Sequence, residues 1–220
     1  MVKVLELFSG TRSIGKCCKE LGWESYSVDI DAEADFKGDI MDFDYKQFSK
    51  DEFDIVWASP PCTNYSKLQD CFMGRMRKGE IYTREIQERE MSHDDKWVKR
   101  TLEIIKYFDC EMWFIENPAT SRMKEREFMK DLPFYLVDYC MYSDWGYRKS
   151  TRIWTNKEGW DAKVCNKKCG NMVGTLHKTN LGNSDRFLRA NLANVETYVR
   201  TSQDDRYRIP PDLVYSLFLE

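Results

Sequence analysis

The sequence predicts a doubly wound α/β fold: a mostly parallel sheet with helices on both faces, joined to a small irregular lobe. Short apolar segments alternate with segments of helical periodicity over residues 3–156, and this alternation is typical of parallel sheets. Turns that contain Gly, Pro or Asn follow several of the apolar segments directly, which indicates where strands end. Residues 157–209 are rich in Asn, Lys and Gly and have little periodicity, so they predict the lobe. Right-handed crossovers between parallel strands leave the doubly wound topology as the expected one.

The predicted elements follow from local periodicity and from the residues that end each segment. Residues 12–21 carry apolar side chains at helical spacing, and Gly22 ends that helix. Residues 53–58 form an apolar run that stops at two prolines, as expected for a buried strand. The remaining strands are predicted at 3–8, 24–30, 112–116, 134–141 and 153–155, with a short one ending near 40, and the remaining helices at 95–108, 121–131 and 212–219.

Length and composition restrict the class of protein. With 220 residues, of which 42% are hydrophobic, the chain suits one domain with a substantial core. It contains no window of about 18 apolar residues, so no membrane-spanning helix is expected. Residues 1–5 run directly into a strand pattern and lack the features of an export signal. We therefore expect an intracellular, monomeric protein without a membrane partner, in which the eight cysteines are thiols.

The charges are distributed unevenly, although the net charge is only −3. Residues 1–60 carry 7 Lys/Arg and 13 Asp/Glu, whereas residues 145–190 carry 10 Lys/Arg and 3 Asp/Glu. A basic half is what a protein needs if one face contacts phosphates, although an uneven solvated surface gives the same pattern. The candidate phosphate contacts in the basic half are Arg148, Lys149, Lys167 and Lys168.

A second group of basic residues lies in the charged stretch 67–95. Its candidate nucleic-acid contacts, which lie near Gly74 and Gly79, are Arg75, Arg77, Lys78 and Arg84. A loop of this length with flanking glycines is typical of a segment that closes over a substrate. Because the stretch also contains several glutamates, an exposed helix is the alternative.

Three strand ends predict a pocket for an adenosine-containing ligand. Glycine in the turn Phe8-Ser9-Gly10 allows the backbone to pass close to a ligand. Asp29, about twenty residues later, can bind both hydroxyls of a ribose, and its apolar neighbour Ile30 can cover an adenine ring. Asp39 and Ile40 follow a further short strand and offer a carboxylate for an exocyclic amine. No phosphate-binding Gly-x-Gly-x-x-Gly is present, which favours S-adenosylmethionine over a dinucleotide.

Two further strand ends carry residues suited to covalent chemistry. Pro60 and Pro61 fix the backbone after residues 53–58 and hold Cys62 at the ligand edge of the sheet, where a thiolate can act as a nucleophile. The alternative is a buried, inert cysteine. Glu116 ends the apolar strand 112–116, where partial burial favours a proton donor. Arg152, near the next strand, can brace a carboxylate or bind a phosphate.

The order of these motifs resembles the motif series of the cytosine-C5 DNA methyltransferases. The matching segments, in chain order, are LELFSG, VDID, GDI, SPPC, FIENP, YRKSTR and RIPP. The resemblance implies S-adenosylmethionine as cofactor, bound by Phe8, Ser9, Gly10, Asp29, Ile30 and Asp39, and we expect Ile40 and Pro61 to border the same pocket. It further implies that Cys62 is the nucleophile, that Glu116 contacts cytosine N3, and that Arg152 matches the last arginine of a Gln-x-Arg-x-Arg element.

The domain organisation follows from the same resemblance. It implies a catalytic, S-adenosylmethionine-binding domain at 1–156, a reduced target-recognition insert at 157–209, and a C-terminal helix at 210–220 that returns to the catalytic domain. The expected activity is methyl transfer to C5 of a flipped cytosine in double-stranded DNA through a Cys62–C6 adduct. The alternatives are the same chemistry on RNA such as tRNA, an amino-methyltransferase acting on cytosine N4 or adenine N6, and a non-catalytic nucleic-acid-binding relative.

The predicted lobe contains one set of possible metal ligands. Cys165, Cys169 and His177 are candidate zinc ligands, but structural zinc requires four ligands in close pairs. Only three are visible at loose spacing, so the sequence predicts no metal site.

Overall fold

A seven-stranded sheet forms the centre of the protein in a computed structural model, which describes residues 1–179 and 201–220. The sheet strands are β1 Lys3–Leu7, β2 Glu24–Asp29, β3 Phe36–Lys37, β4 Ile55–Ala58, β7 Met112–Pro118, β8 Phe134–Asp138 and β9 Ser150–Thr155. Two small hairpins are formed by β5 Met76–Arg77 with β6 Glu80–Ile81, and by β10 Met172–Val173 with β11 Leu176–His177. The helices are α1 Ser13–Leu21, α2 Arg84–Phe108, α3 Gln203–Tyr207 and α4 Pro211–Leu219.

The strand order in the sheet is β3-β2-β1-β4-β7-β9-β8. All neighbouring strands from β3 to β7 are parallel, whereas β9 is antiparallel to both β7 and β8. The chain therefore crosses from one half of the sheet to the other after β3, as a doubly wound fold does. This arrangement confirms the predicted fold class and brings the carboxyl ends of β1, β2, β4 and β7 to one edge.

Alternating side chains of the strands separate two hydrophobic cores. On one face Leu5, Val56 and Ile115 pack against the apolar side of α2. On the other face Val4, Trp57 and Phe114 face α1 and α4. Because the central strands are covered on both faces, their sequences are apolar at nearly every position.

Helix α2 differs most from the sequence-based prediction. It begins at Arg84 rather than near residue 95, and it is 25 residues long. Thr83 caps its first turn by accepting a hydrogen bond from the amide of Ile86. Because the first turns of α2 contain many charged residues, polar contacts rather than an apolar stripe stabilise that part of the helix. The expectation that all of 67–95 is a loop was therefore wrong for its second half.

The rest of the chain is less regular. A 3-10 turn at Arg122–Glu125 replaces the helix predicted at 121–131. Within the predicted insert, the hairpin of β10 and β11 is followed by residues 180–200, which lie outside the described residues. In residues 1–179 and 201–220, no helix combines the length and apolar character needed to cross a membrane.

Candidate active site

The loop after β4 presents Cys62 at the carboxyl edge of the sheet. The carbonyl of Pro60 accepts a hydrogen bond of 2.8 Å from the buried amide of Asn117 at the end of β7. Beyond Cys62, the hydroxyl of the buried Tyr65 donates to Asp95 on α2 at 2.8 Å. The loop is thus fixed on both sides of the cysteine, whose side chain is half-buried.

Glu116 on the neighbouring strand is held by two donors. It is only 6% exposed, and its Oε1 accepts a hydrogen bond of 3.0 Å from the hydroxyl of Tyr139. The ammonium group of Lys149 lies 3.3 Å from the same oxygen and 4.6 Å from the centre of the Tyr139 ring. A buried carboxylate needs such partners, because an unpaired charge at this depth would cost several kcal/mol, on the order of 3–5. The arrangement leaves Oε2 available for a ligand.

Burial and the charges of Glu116 and Lys149 determine the acidity of Cys62. Burial raises the pKa of the Cys62 thiol above its ordinary value, and the negative charge of Glu116 raises it further. The positive charge of Lys149 acts in the opposite direction. The thiol is therefore protonated near neutral pH, and Lys149 is the group that favours its ionisation.

Arg152 lies on the other face of the sheet. Glu116 pairs with Ile153 across the β7–β9 ladder, and Asn117 pairs with Arg152. Since successive side chains point to opposite faces, Arg152 is directed away from Glu116. Its guanidinium stacks 3.6 Å from the centre of the Phe134 ring. The predicted bracing of Glu116 is therefore made by Lys149, and Arg152 is not part of this group.

The predicted cofactor turn has an unusual backbone. Phe8 and Gly10 both have positive φ, 58° and 42°, which for a non-glycine residue is strained. Gly10 donates its amide to Asp29 Oδ2 at 2.8 Å, so the turn is bonded to the end of β2. Ser9 is buried, and its hydroxyl has no hydrogen-bond partner in the described part of the chain. Ile30 exposes 56% of its surface beside this turn.

The residues after β3 divide into one facing the pocket and one facing the core. Asp39 accepts hydrogen bonds from the indole of Trp97 on α2 at 3.2 and 3.4 Å, and it is half-exposed. Ile40 is only 3% exposed and belongs to the core beneath α2. The side chain of Ile40, which was predicted as a cofactor contact, is therefore packed in the core. Pro61 is exposed in the loop after β4 that carries Cys62.

Several residues predicted to contact phosphates are paired with acidic groups. Arg77 and Lys78 bind Glu90 on α2 at 2.7 and 3.1 Å, so the β5–β6 hairpin is bonded to the helix. The other two ion pairs, both of 2.7–2.8 Å, join Arg84 to Asp70 and Arg148 to Asp138. Lys149 is only 13% exposed and faces the active centre instead of the surface. Arg75, Lys167 and Lys168 are exposed.

Sequence reasoning missed two partners of Glu116 and one residue of a separate cluster. Lys149 was predicted only as a phosphate contact, and Tyr139 was part of a predicted strand. Neither is close to Glu116 in sequence, so only the antiparallel return of β9 brings them together. Cys140 likewise lies beside Cys165, Cys169 and His177 in space. No sequence signal pointed to Cys140, because the nearest cysteine along the chain, Cys165, is 25 residues away.

The fold is of the Rossmann-like α/β class found in methyltransferases, and one edge of its sheet carries the predicted nucleoside pocket and the thiol of Cys62. Comparison with known proteins identifies the family. A protein of frog virus 3 (isolate Goorha), described as a probable DNA (cytosine-5)-methyltransferase, is 39% identical over 220 residues, with 98% of each chain covered. The chain therefore belongs to the DNA (cytosine-5)-methyltransferase family. No protein-family model matches it.

Solved structures that resemble the protein are distant in sequence. A prophage-encoded DNA modification methyltransferase of E. coli is 11% identical with a TM-score of 0.44, covering 70% of this chain and 46% of its own. The Dnmt2 methyltransferase of S. pombe is 14% identical with a TM-score of 0.43, covering 74% of this chain and 51% of its own. The chain spans about half the length of these two structures.

Proposed function

We propose that the protein transfers a methyl group from S-adenosylmethionine to C5 of cytosine in DNA, through a covalent bond between Cys62 and C6. The observation that carries the proposal is the arrangement of Cys62 and Glu116 at the ends of the adjacent strands β4 and β7, with Lys149 beside both. A thiol and a buried carboxylate in this relation can act on two positions of one ring. The viral relative, described as acting on DNA cytosine C5, supports the same chemistry.

The pocket beside β1 and β2 fits the proposed cofactor. Asp29 already accepts amide hydrogen bonds from Gly10, Asp31 and Ala32, which leaves Oδ2 able to accept one more, for example from a ribose hydroxyl. The exposed side chain of Ile30 suits a flat apolar group such as adenine beside it. Asp39 suits the exocyclic amine of adenine. When bound, the cofactor supplies an electrophilic methyl group on its sulfonium.

The residues of the active centre divide the reaction between them. The thiolate of Cys62 adds to C6 of cytosine, so that an S–C6 bond forms and the electrons of the C5–C6 double bond become available at C5. Glu116 at N3 stabilises the charge that the ring gains. C5 would then accept the methyl group that S-adenosylmethionine supplies when bound, with S-adenosylhomocysteine as the leaving group; a base would remove the C5 proton, and the S–C6 bond would break to return the thiolate of Cys62. The net change is one methyl for one proton, and covalent catalysis lowers the barrier by dividing the reaction into easier steps.

Cys62 also separates this proposal from the amino-methyltransferases. Those enzymes place an aromatic residue after Ser-Pro-Pro, where it stacks on the base, whereas this chain has Cys62. A thiol cannot stack, but it can add to C6. The cysteine loop is fixed by Asn117 and Tyr65, which further favours a role that depends on position.

The test uses duplex DNA that contains 5-fluorocytosine, because fluorine at C5 cannot leave as a proton and the adduct is trapped. With S-adenosylmethionine present, the wild-type protein should give a denaturation-resistant DNA adduct. The Cys62→Ser variant should give none, whereas Cys110→Ser, which alters another half-buried thiol at the opposite end of β7, should behave as wild type. A matching RNA oligonucleotide forms a second arm. If only the RNA forms an adduct, RNA and not DNA is the substrate. If neither nucleic acid forms an adduct with protein that binds the cofactor, the proposal is contradicted.

A further inference from the structure

Four potential metal ligands meet at the boundary between the sheet and the irregular lobe. They are Cys140, Cys165, Cys169 and His177, and their ligand atoms all lie within 4.8 Å of one another. The Sγ atoms of Cys165 and Cys169 are 3.6 Å apart, and His177 Nε2 lies 3.6 Å from the first and 3.4 Å from the second. We infer that this cluster binds one structural Zn²⁺ ion.

The three distances among the ligand atoms of Cys165, Cys169 and His177 match edges of a tetrahedral zinc site, and Cys140 Sγ lies within 4.8 Å of each of these atoms. Zinc–sulfur bonds of about 2.3 Å and zinc–nitrogen bonds of about 2.0–2.1 Å imply S···S edges of about 3.8 Å and S···N edges of about 3.6 Å. The observed separations lie within about 0.2 Å of these values. Three thiols and one imidazole are also a donor set that selects zinc over the hard cations, which prefer oxygen ligands.

The groups around the cluster orient the ligands. The amide of Lys167 donates to Cys165 Sγ at 3.3 Å, and Lys167 itself has a positive φ of 66°, which turns the chain between Cys165 and Cys169. Asp138 accepts the amide of Cys165 at 2.8 Å. On the other side, the amide group of Asn171 donates to the carbonyl of Cys140 at 2.9 Å. Such outer contacts commonly fix metal ligands in position.

The cationic side chains near the cluster suit its charge. Three thiolates and one Zn²⁺ ion leave a net charge of −1. Arg148 reaches the cluster through its ion pair with Asp138, and Lys167 and Lys168 lie in the loop between two of the ligands. The positions of these predicted phosphate contacts also allow them to offset the negative charge of the metal centre.

A metal here has a structural role. Four protein ligands leave no open position for a substrate or a catalytic water. Each strand of the hairpin that carries His177 has only two residues, and such a hairpin is not stable alone. Cys140 directly follows Tyr139, whose hydroxyl is bonded to Glu116. Zinc would therefore attach the lobe to the segment that positions the catalytic carboxylate.

The experiment measures metal content and coordination, independently of activity. Wild-type protein purified under reducing conditions should contain about one zinc ion per chain by mass spectrometry. Replacement of zinc by Co²⁺ should give the visible spectrum of a tetrahedral site with thiolate charge transfer. Cys140→Ser should weaken zinc binding on the order of 100-fold, whereas Cys17→Ser, at an equally buried thiol outside the cluster, should not.

A second variant protects the test against loss of folding. His177→Cys offers four thiols, so it should keep one metal ion and increase the thiolate charge-transfer intensity of the Co²⁺ form by about one third. The inference is overturned if reduced wild-type protein neither contains zinc nor takes up Co²⁺ in a tetrahedral thiolate site. It is equally overturned if Cys140→Ser and His177→Ala bind zinc as tightly as wild type, or if Cys165 and Cys169 form a disulfide and reduction restores no metal binding.

Discussion

The central residues of the site act through their charges at short range. Lys149 lies against both Glu116 and the ring of Tyr139, and it opposes the effects of burial and of Glu116 on the pKa of Cys62. One ammonium group therefore keeps the carboxylate in position and favours the thiolate. A positioned cation with two such functions is not replaceable by an apolar residue of similar length.

Substitution of Lys149 by Met should slow formation of the 5-fluorocytosine adduct, because loss of the positive charge raises the pKa of the Cys62 thiol further, and each unit of increase lowers the thiolate fraction about tenfold. Below its raised pKa, Cys62 gains thiolate as the pH increases, so the adduct rate should increase with pH in both proteins. In Lys149→Met the whole profile should be displaced to higher pH. The control is Lys19→Met, at an exposed lysine on α1. Identical pH profiles for wild type and Lys149→Met would exclude this role.

The first helix begins against a carboxylate of the first strand. Glu6 on β1 is 2% exposed and accepts the amides of Ile14 and Gly15 at 3.0 Å each. These two amides would otherwise lack partners at the start of α1. A Cβ on Gly15 would come within 3.2 Å of Glu6 Oε2, so the close approach depends on glycine at that position. Through this contact, the strand fixes the helix that borders the cofactor turn.

A pH dependence of stability follows from Glu6. Burial raises its pKa from 4.5 to about 7, against the opposing effect of the two amides. Between those values the unfolded chain releases the proton while the folded protein retains it. The contribution of Glu6 to the free energy of unfolding is therefore greatest below about pH 4.5 and decreases by up to about 3 kcal/mol as the pH approaches 7.

Urea unfolding of wild type and Glu6→Gln across this pH range measures that contribution, because glutamine does not titrate. The stability difference between the two proteins should change in favour of Glu6→Gln as the pH rises, and it should be constant above about pH 7. A difference that is independent of pH would show that Glu6 has the same pKa in the folded and unfolded states.

At the scale of the whole molecule, the end of the chain completes the second core. Leu213, Val214 and Leu217 of α4 are fully buried against the face of the sheet opposite α2. The indole of Trp160 donates to Ser216 at 2.8 Å, and the amide of Ile209 donates to the hydroxyl of Ser13 at the start of α1 at 3.0 Å. Helix α4 and the start of α1 therefore stabilise each other on the same face of the sheet.

Leu213→Ala should reduce the free energy of unfolding by about 2–5 kcal/mol, because it leaves a cavity in this core. Denaturant unfolding of the full chain gives the value directly. Leu219→Ala is the matched control, since Leu219 lies in the same helix with 58% of its surface exposed, and its effect should stay within about 0.5 kcal/mol. Equal losses in the two variants would mean that α4 does not pack as described.

The sequence by itself determined the parallel sheet, the strand ends that carry Asp29, Cys62 and Glu116, and the family, because periodicity and residue order are local properties of the chain. The sequence-based prediction placed the start of α2 too late, because the buried residues Asp94 and Asp95 are charged and interrupt the apolar pattern of the helix. Their burial is possible because Asn64 and Tyr65, from the loop after β4, donate hydrogen bonds to them.

Only the tertiary structure decided which residues surround Glu116 and the metal cluster. Lys149 meets Glu116 because β9 returns antiparallel to β7, and the pairing register turns Arg152 to the opposite face. A shift of one residue in a strand exchanges its two faces, and no local pattern fixes that register. Cys140 lies beside Cys165 and His177 because tertiary packing brings these segments together. Contacts between residues distant in sequence depend on the whole fold and not on any local pattern.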